Sequence, residues 1–211
     1  MSNGGAGVAD WKEGRRRSAR TAIVGAAWAA VREEGLAALN MRHLAARAGV
    51  TTPTLYAYFD SKNDIYDAMF GQAAAEFVEV VSAPMSTYDP KQILWERARR
   101  FVAFCTADVA RYQLLFQRTI PGFEPSADSY SHAVTALEVS RRQLAGIGIT
   151  DPKHLDIWTA LLTGLIDQQI SNDPGGDRWE RLTEQFVDMY LSYCLSPSTH
   201  RTAPAKKGSR K

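Results

Sequence analysis

Residues 40–60, NMRHLAARAGVTTPTLYAYFD, leave this chain little freedom. The side-chain oxygen of Asn40 can accept from the free amides of a first helical turn, which makes it an N-cap. Leu44, Ala45 and Ala48 follow at helical spacing. Gly49 stops that helix, because glycine takes positive φ without strain. Val50 is expected as a buried plug. Thr51 or Thr52 caps a second short helix, and Pro53 falls in its first turn, where the missing N–H is harmless. Leu55 and Phe59 face inward. Two short helices across a tight glycine turn make a helix-turn-helix. Alanines at 45, 46 and 48 keep the first helix thin enough for the second to cross it closely.

The rest of the chain repeats the helical period. Ile23, Ala27, Ala30 and Val31 recur before Glu33-Glu34-Gly35, where Gly35 is free to end a helix. Ser61-Lys62-Asn63-Asp64 reads as a capping box with Asp in place of Glu, opening a helix that Pro84 ends. Asp89-Pro90 opens the next, whose stripe carries Leu94, Arg97, Ala98, Phe101, Phe104 and Cys105. Further helices are expected over about 108–118, 129–147, 151–172 and 177–195, with Pro121-Gly122 and residues 172–176 as turns. No strand alternation, repeat or glycine-rich phosphate loop occurs, so the fold class is all-α. The 211 residues divide into an arm (1–14), a helix-turn-helix domain (15–77, with the motif at 40–59), a larger helical domain (85–195) and a tail (196–211). Both the arm and the tail are expected to be disordered.

Charge sorts along the same divisions. The formal net charge is +2, but residues 1–62 hold nine Lys/Arg against five Asp/Glu, residues 63–195 hold 11 against 18, and residues 196–211 hold five against none. Basic ends on an acidic middle suit a polyanion-binding end attached to a body with another task. They suit two solvated tails equally well. The second helix of the motif leaves Thr52, Pro53, Thr54, Tyr56, Ala57 and Tyr58 mostly outside, and none of these is acidic. Such a surface can enter a major groove of double-stranded DNA, and Arg15-Arg16-Arg17 beside it can reach phosphates. The same motif also occurs as a plain packed pair of helices. Lys62, at the start of the next helix, suits a phosphate.

The run from about Arg17 to Ala74 resembles the N-terminal domain of TetR-family (tetracycline-repressor-like) transcriptional regulators. The residues that carry the resemblance are Ala26-Ala27, Gly35, Leu44-Ala45-x-x-Ala48-Gly49-Val50, Thr54-Leu55-Tyr56, Phe59 and Ser61-Lys62. The resemblance implies an all-α homodimer that binds a palindromic operator and is most often a repressor released by a small effector. Carried over by position, Thr52, Pro53 and Ala57 would face bases, while Tyr56, Tyr58 and Lys62 would hold phosphates. The DNA-binding set expected here is thus Arg15, Arg16, Arg17, Arg42, Thr51, Thr52, Pro53, Thr54, Tyr56, Ala57, Tyr58 and Lys62. The family often has Lys or Arg at Thr52, Gly at Pro53 and His at Ala57, so the resemblance leaves the operator sequence open.

The larger domain is rich in rings. Trp95, Phe101, Phe104, Phe116, Trp158 and Leu162 are candidates to line an apolar or aromatic effector's cavity, although they fit a filled core as well. The last two helices are apolar on more than one side, which suits a four-helix bundle across a two-fold axis. Trp158, Leu165, Trp179, Leu182, Phe186, Met189 and Tyr190 are the candidate dimer interface, and they could instead complete the monomer core. The alternative function is a helical protein of this fold that coats DNA or holds a partner, with no effector. No catalytic motif, metal spacing or cofactor site is read: the two cysteines and four histidines lie far apart, and the paired carboxylates fall at caps. With no apolar run of about 18 residues and no secretory signal, a cytoplasmic protein without a membrane span is expected.

Overall fold

The computed structural model describes residues 5–195, which form nine α-helices and no strand. These are α1 Gly5–Glu34, α2 Met41–Arg47, α3 Thr52–Tyr56, α4 Lys62–Ser82, α5 Pro90–Thr106, α6 Val109–Phe116, α7 Ala127–Gly146, α8 Pro152–Asn172 and α9 Thr183–Leu195. The arm expected over residues 1–14 is, from Gly5 on, the beginning of α1. Lys12, Glu13 and Arg15–Arg17 are good helix formers, and a helix already nucleated over the following apolar stripe extends at one hydrogen bond per residue. Residues 1–4 of that arm and the basic tail expected over 196–211 lie outside the described residues.

Side-chain caps set the helix starts. The Asn40 side chain accepts from the amides of Arg42 at 2.9 Å and His43 at 3.4 Å. Thr51, rather than Thr52, caps α3 by accepting from the Thr54 amide at 3.3 Å. Ser61 and Asp64 close the reciprocal box at 3.2 and 2.9 Å. Asp89, Asp108, Ser126 and Asp151 cap α5 to α8 in the same way. Gly49 takes φ +69° between α2 and α3, where any other residue would be strained. Helix α9 starts later than its periodicity suggests. The Gln169 side-chain oxygen takes the amides of Trp179 at 2.8 Å and Glu180 at 3.1 Å, and this holds a 3₁₀ turn ahead of α9.

Two apolar clusters result. The first joins Ile23, Ala27 and Val31 of α1 to Leu44, Leu55, Phe59, Ile65 and Met69. Val50 packs against it half-buried, not as a fully buried plug. The second joins Leu94, Val102 and Cys105 of α5 to Leu162, Ile166, Val187 and Tyr190. Helix α4 contributes to both, through Met69 and Phe70 to the first and Phe77 and Val80 to the second. It packs along α7, where Gly71 lets Ser129 approach: a Cβ on Gly71 would stand 2.9 Å from the Ser129 hydroxyl. That hydroxyl instead donates to Asp67, as the Ser126 hydroxyl does, each at 2.9 Å.

Candidate nucleic-acid interface and cavity

The outer face of α3 is small, hydroxylated and aromatic. Thr51, Pro53, Thr54, Tyr56 and Ala57 are exposed, and Thr52 is half-buried. The Thr51 and Thr54 hydroxyls are 2.8 Å apart, so one of them already serves the other. Tyr58 is half-buried and packs on the first cluster, leaving it less free than Tyr56. Arg42 is exposed on α2. Lys62 begins α4, with its ammonium 5.6 Å from the centre of the Tyr66 ring. Neither α2 nor α3 contains a carboxylate.

The arginines of α1 differ among themselves. Arg15, Arg16 and Arg17 are exposed on the helix, and Arg15 lies 4.7 Å over the Trp11 ring. Arg20 is a positioning residue: it donates to the Tyr58 carbonyl and stacks 4.1 Å over Phe59, fixing the chain that leaves α3. Its spacing from Arg16 and Arg17 was the available signal, but only the packing of α1 on α3 reveals the clamp. Arg47 is committed to Glu33 at 2.5 Å, and this pair holds the Glu33 carboxyl below its ordinary range.

Helices α4 to α8 line a cavity of about 560 Å³, with Phe70, Phe77, Phe101, Phe116, Trp158 and Leu162 in its wall and the exposed Arg118, Glu124, Tyr130 and Leu137 at its open side. Of the six residues expected there, Phe101, Phe116, Trp158 and Leu162 are brought together. Trp95 and Phe104 stand outside the lining. Arg99 covers the Trp95 ring at 4.8 Å and Arg111 the Phe104 ring at 3.8 Å, so both rings are occupied on another side. Arg97 also lines the cavity, which the ring count did not reveal. The signal was a cation on the inward stripe of α5, between Leu94 and Phe101. Burial and the nearby Arg100 push the Arg97 guanidinium down to about 10, against the opposing pull of Glu96.

Helix α6 ties the cavity to the N-terminal helices. Its Leu114, Leu115 and Phe116 are in the cavity wall. Its cap Asp108 takes Arg32 of α1 at 2.7 Å, and its Arg111 reaches Glu76 of α4 at 3.1 Å. Asp167 is spent on the Tyr112 hydroxyl at 2.7 Å and the Gln117 amide at 2.8 Å. Burial raises the Cys105 thiol far above its ordinary value, which keeps it inert.

The candidate interface divides. Trp158, Leu165 and Tyr190 are buried in the chain's own second cluster, at 8%, 1% and 1% exposure, which removes them from a surface between copies. Trp179, Leu182 and Phe186 are partly buried, and Met189 is exposed. Tyr193, one turn on, is exposed on the same side of α9 and extends that apolar edge. Among the described residues, no group of three His, Cys, Asp or Glu is placed to hold a metal ion, and no helix is long and apolar enough to cross a membrane.

Comparison with known proteins places this geometry among relatives. Residues 23–69 match the bacterial regulatory proteins of the tetR family. The HTH-type transcriptional activator FasR of Mycolicibacterium smegmatis is 34% identical over 86 residues, which is 40% of this chain and 39% of that protein. A tetR-family transcriptional regulator from Streptomyces coelicolor superposes with a TM-score of 0.67 at 16% identity, covering 83% of this chain and 80% of the other. A TetR variant from Acinetobacter baumannii, crystallised with minocycline, gives 0.56 at 24%, covering 81% and 93%. At those identities the two structures establish the shared fold.

Proposed function

We propose, on the premise of the tetR-family match over residues 23–69 and the likeness to FasR over 86 residues, that this chain is a tetR-family regulator that binds a palindromic DNA operator as a homodimer and lets go when a small effector fills the cavity. The observation that carries the reading is the shared helix α4. One end begins beside the acid-free face of α3 at the Ser61 cap, and the other end lines the cavity with Phe77, Val80 and Val81. A change in the cavity wall is therefore a change in the helix on which the DNA-reading face is mounted.

The mechanism is a shift of population. In a two-fold dimer the two α3 helices must meet half-sites about 34 Å apart. Bound together, they gain from the high effective concentration of the second site. An effector that fits the cavity only with α4 displaced favours a dimer whose spacing misses that repeat. Thr52, Pro53 and Ala57 face bases, with Tyr56, Lys62, Arg16 and Arg17 on phosphates. The apolar edge at Met189 supports a pairing surface on α9. The relative in complex with minocycline supports a small organic effector. The cavity weighs against a protein that only coats DNA, because such a protein has no need of an empty interior.

A dimer that loses its operator when its cavity fills is a repressor of the genes beside it. An activator, as FasR is named, would have to hold or gain DNA in the same circumstance. The test is a Thr52→Ala, Tyr56→Ala double variant on the outer face of α3, with circular dichroism to check that the fold persists. It should lose the specific genomic fragments that the wild type retains at about physiological salt. Equal retention by both proteins would overturn the assignment of α3 as the reading element.

A further inference from the structure

We propose that the effector is an organic acid, a carboxylate carried on an apolar body, and that Arg97 receives the carboxylate. The inference rests on the cavity being the effector site and names the class of molecule it takes. Arg118, Glu124 and Tyr130 are exposed at the mouth, so the inner polar groups of the lining decide the chemistry. Ser140 and Thr159 give their hydroxyl hydrogens to carbonyls of their own helices, at 2.9 and 3.0 Å. The amide nitrogens of Gln117 and Gln143 are engaged by Asp167 and the Val81 carbonyl, at 2.8 and 2.7 Å.

Arg97 differs. Its Nε is buried without a partner, and its Nη1 reaches the Val81 carbonyl only at 3.4 Å, a marginal bond. The carboxylate whose charge acts on it, Glu96, is already taken by the Ser86 hydroxyl at 2.5 Å and by Arg100 at 3.6 Å. Burying a guanidinium with an unmet donor is costly, and it is retained most readily where an anion completes it. The planar fork of arginine matches a carboxylate in two parallel bonds. Around it the wall is aromatic and aliphatic, and the volume of about 560 Å³ lies in the range of small-molecule sites. A carboxylate at Arg97 would also offset its repulsion with Arg100. It would compete for the bond to Val81, which lies in the last turns of α4.

The experiment measures binding to the free protein, apart from DNA, by calorimetry, with quenching of the tryptophan emission, to which Trp158 in the cavity wall contributes, as a second readout. The probes are dodecanoate with dodecanol, and naphthoate with naphthalene methanol, so that the two pairs distinguish an aliphatic from an aromatic body. At least one acid should bind about tenfold more tightly than its own alcohol, as a charge-assisted pair predicts. Arg97→Met, which keeps the apolar volume, should bind that alcohol at least as well as the wild type and lose the preference for the acid. Equal affinities of acid and alcohol for the wild type would overturn the proposal without needing any variant. So would an acid preference that survives Arg97→Met. Binding of neither pair would overturn the effector-cavity reading itself, a distinct failure from binding without preference.

Discussion

Arg20 fixes one side of α1 against the end of α3, and this makes the salt dependence of DNA binding a sharp test of how α1 is used. An α-helix advances about 100° per residue, so Arg16 and Arg17 lie about 40° and 60° from Arg20 around the axis, and Arg15 about 140° away. An extended arm could bring all three cations to phosphates. The helix brings two, and Arg15 is set over Trp11 instead. Each phosphate contact contributes about 0.9 to the slope of log affinity against log salt. Arg16→Ala with Arg17→Ala should therefore lower the slope by about 1.8 per chain, or about 3.6 for a dimer on both half-sites. Arg15→Ala should leave it within about 0.5 of the wild type. The assay is fluorescence anisotropy on labelled DNA between about 50 and 300 mM salt, with circular dichroism to confirm that α1 persists. An unchanged slope in the double variant, or an equal loss from Arg15→Ala, would refute the reasoning.

Three further outcomes follow from the same geometry. Arg20→Met loses a charged donor to the Tyr58 carbonyl and the stack on Phe59, and should destabilise the N-terminal domain by about 2 kcal/mol in urea unfolding; a loss below about 0.5 would mean that the clamp contributes little. Leu55→Ala empties a fully buried position between α2 and α3, and should cost about 2–5 kcal/mol and abolish DNA retention together, since both helices lean on it; retention at wild-type affinity would separate the motif's packing from its function. Glu33 is held below its ordinary 4.5 by Arg47, so the pair's contribution is complete above that value and is lost as pH falls through the folded one. Denaturation midpoints of the wild type and Glu33→Gln should differ at neutral pH and converge as acid protonates Glu33 in the folded chain; a gap that widens in acid would reverse the sign.

Much of the fold was legible because it is written locally. Asn40, Ser61, Asp89, Asp108 and Asp151 act within three residues of where they stand, so a cap can be read without knowing what the helix packs on. Gly49 is equally local. The start of α1 was harder, since helix propagation competes there with solvation. The cavity was legible only as a surplus of rings. Whether a ring faces the cavity or another side depends on how five helices cross. Trp95 and Phe104 therefore looked the same as Phe101 and Trp158 in the sequence. The candidate interface was legible only in part for a related reason: α8 and α9 are apolar on more than one side, and periodicity does not say which side the chain keeps for itself. Trp158, Leu165 and Tyr190 proved to be its own core. Arg97 carried a signal, a cation on an apolar stripe, whose meaning depends on whether a carboxylate lies across from it.

The central claim, that this chain reads a DNA sequence as a dimer, is tested most directly by selection from fragmented genomic DNA at about physiological salt, followed by a footprint of the bound fragments. The account predicts a short palindrome, protected on two half-sites about one helical turn apart and lying near a promoter. Binding that collapses with salt and shares no sequence among the recovered fragments would contradict it.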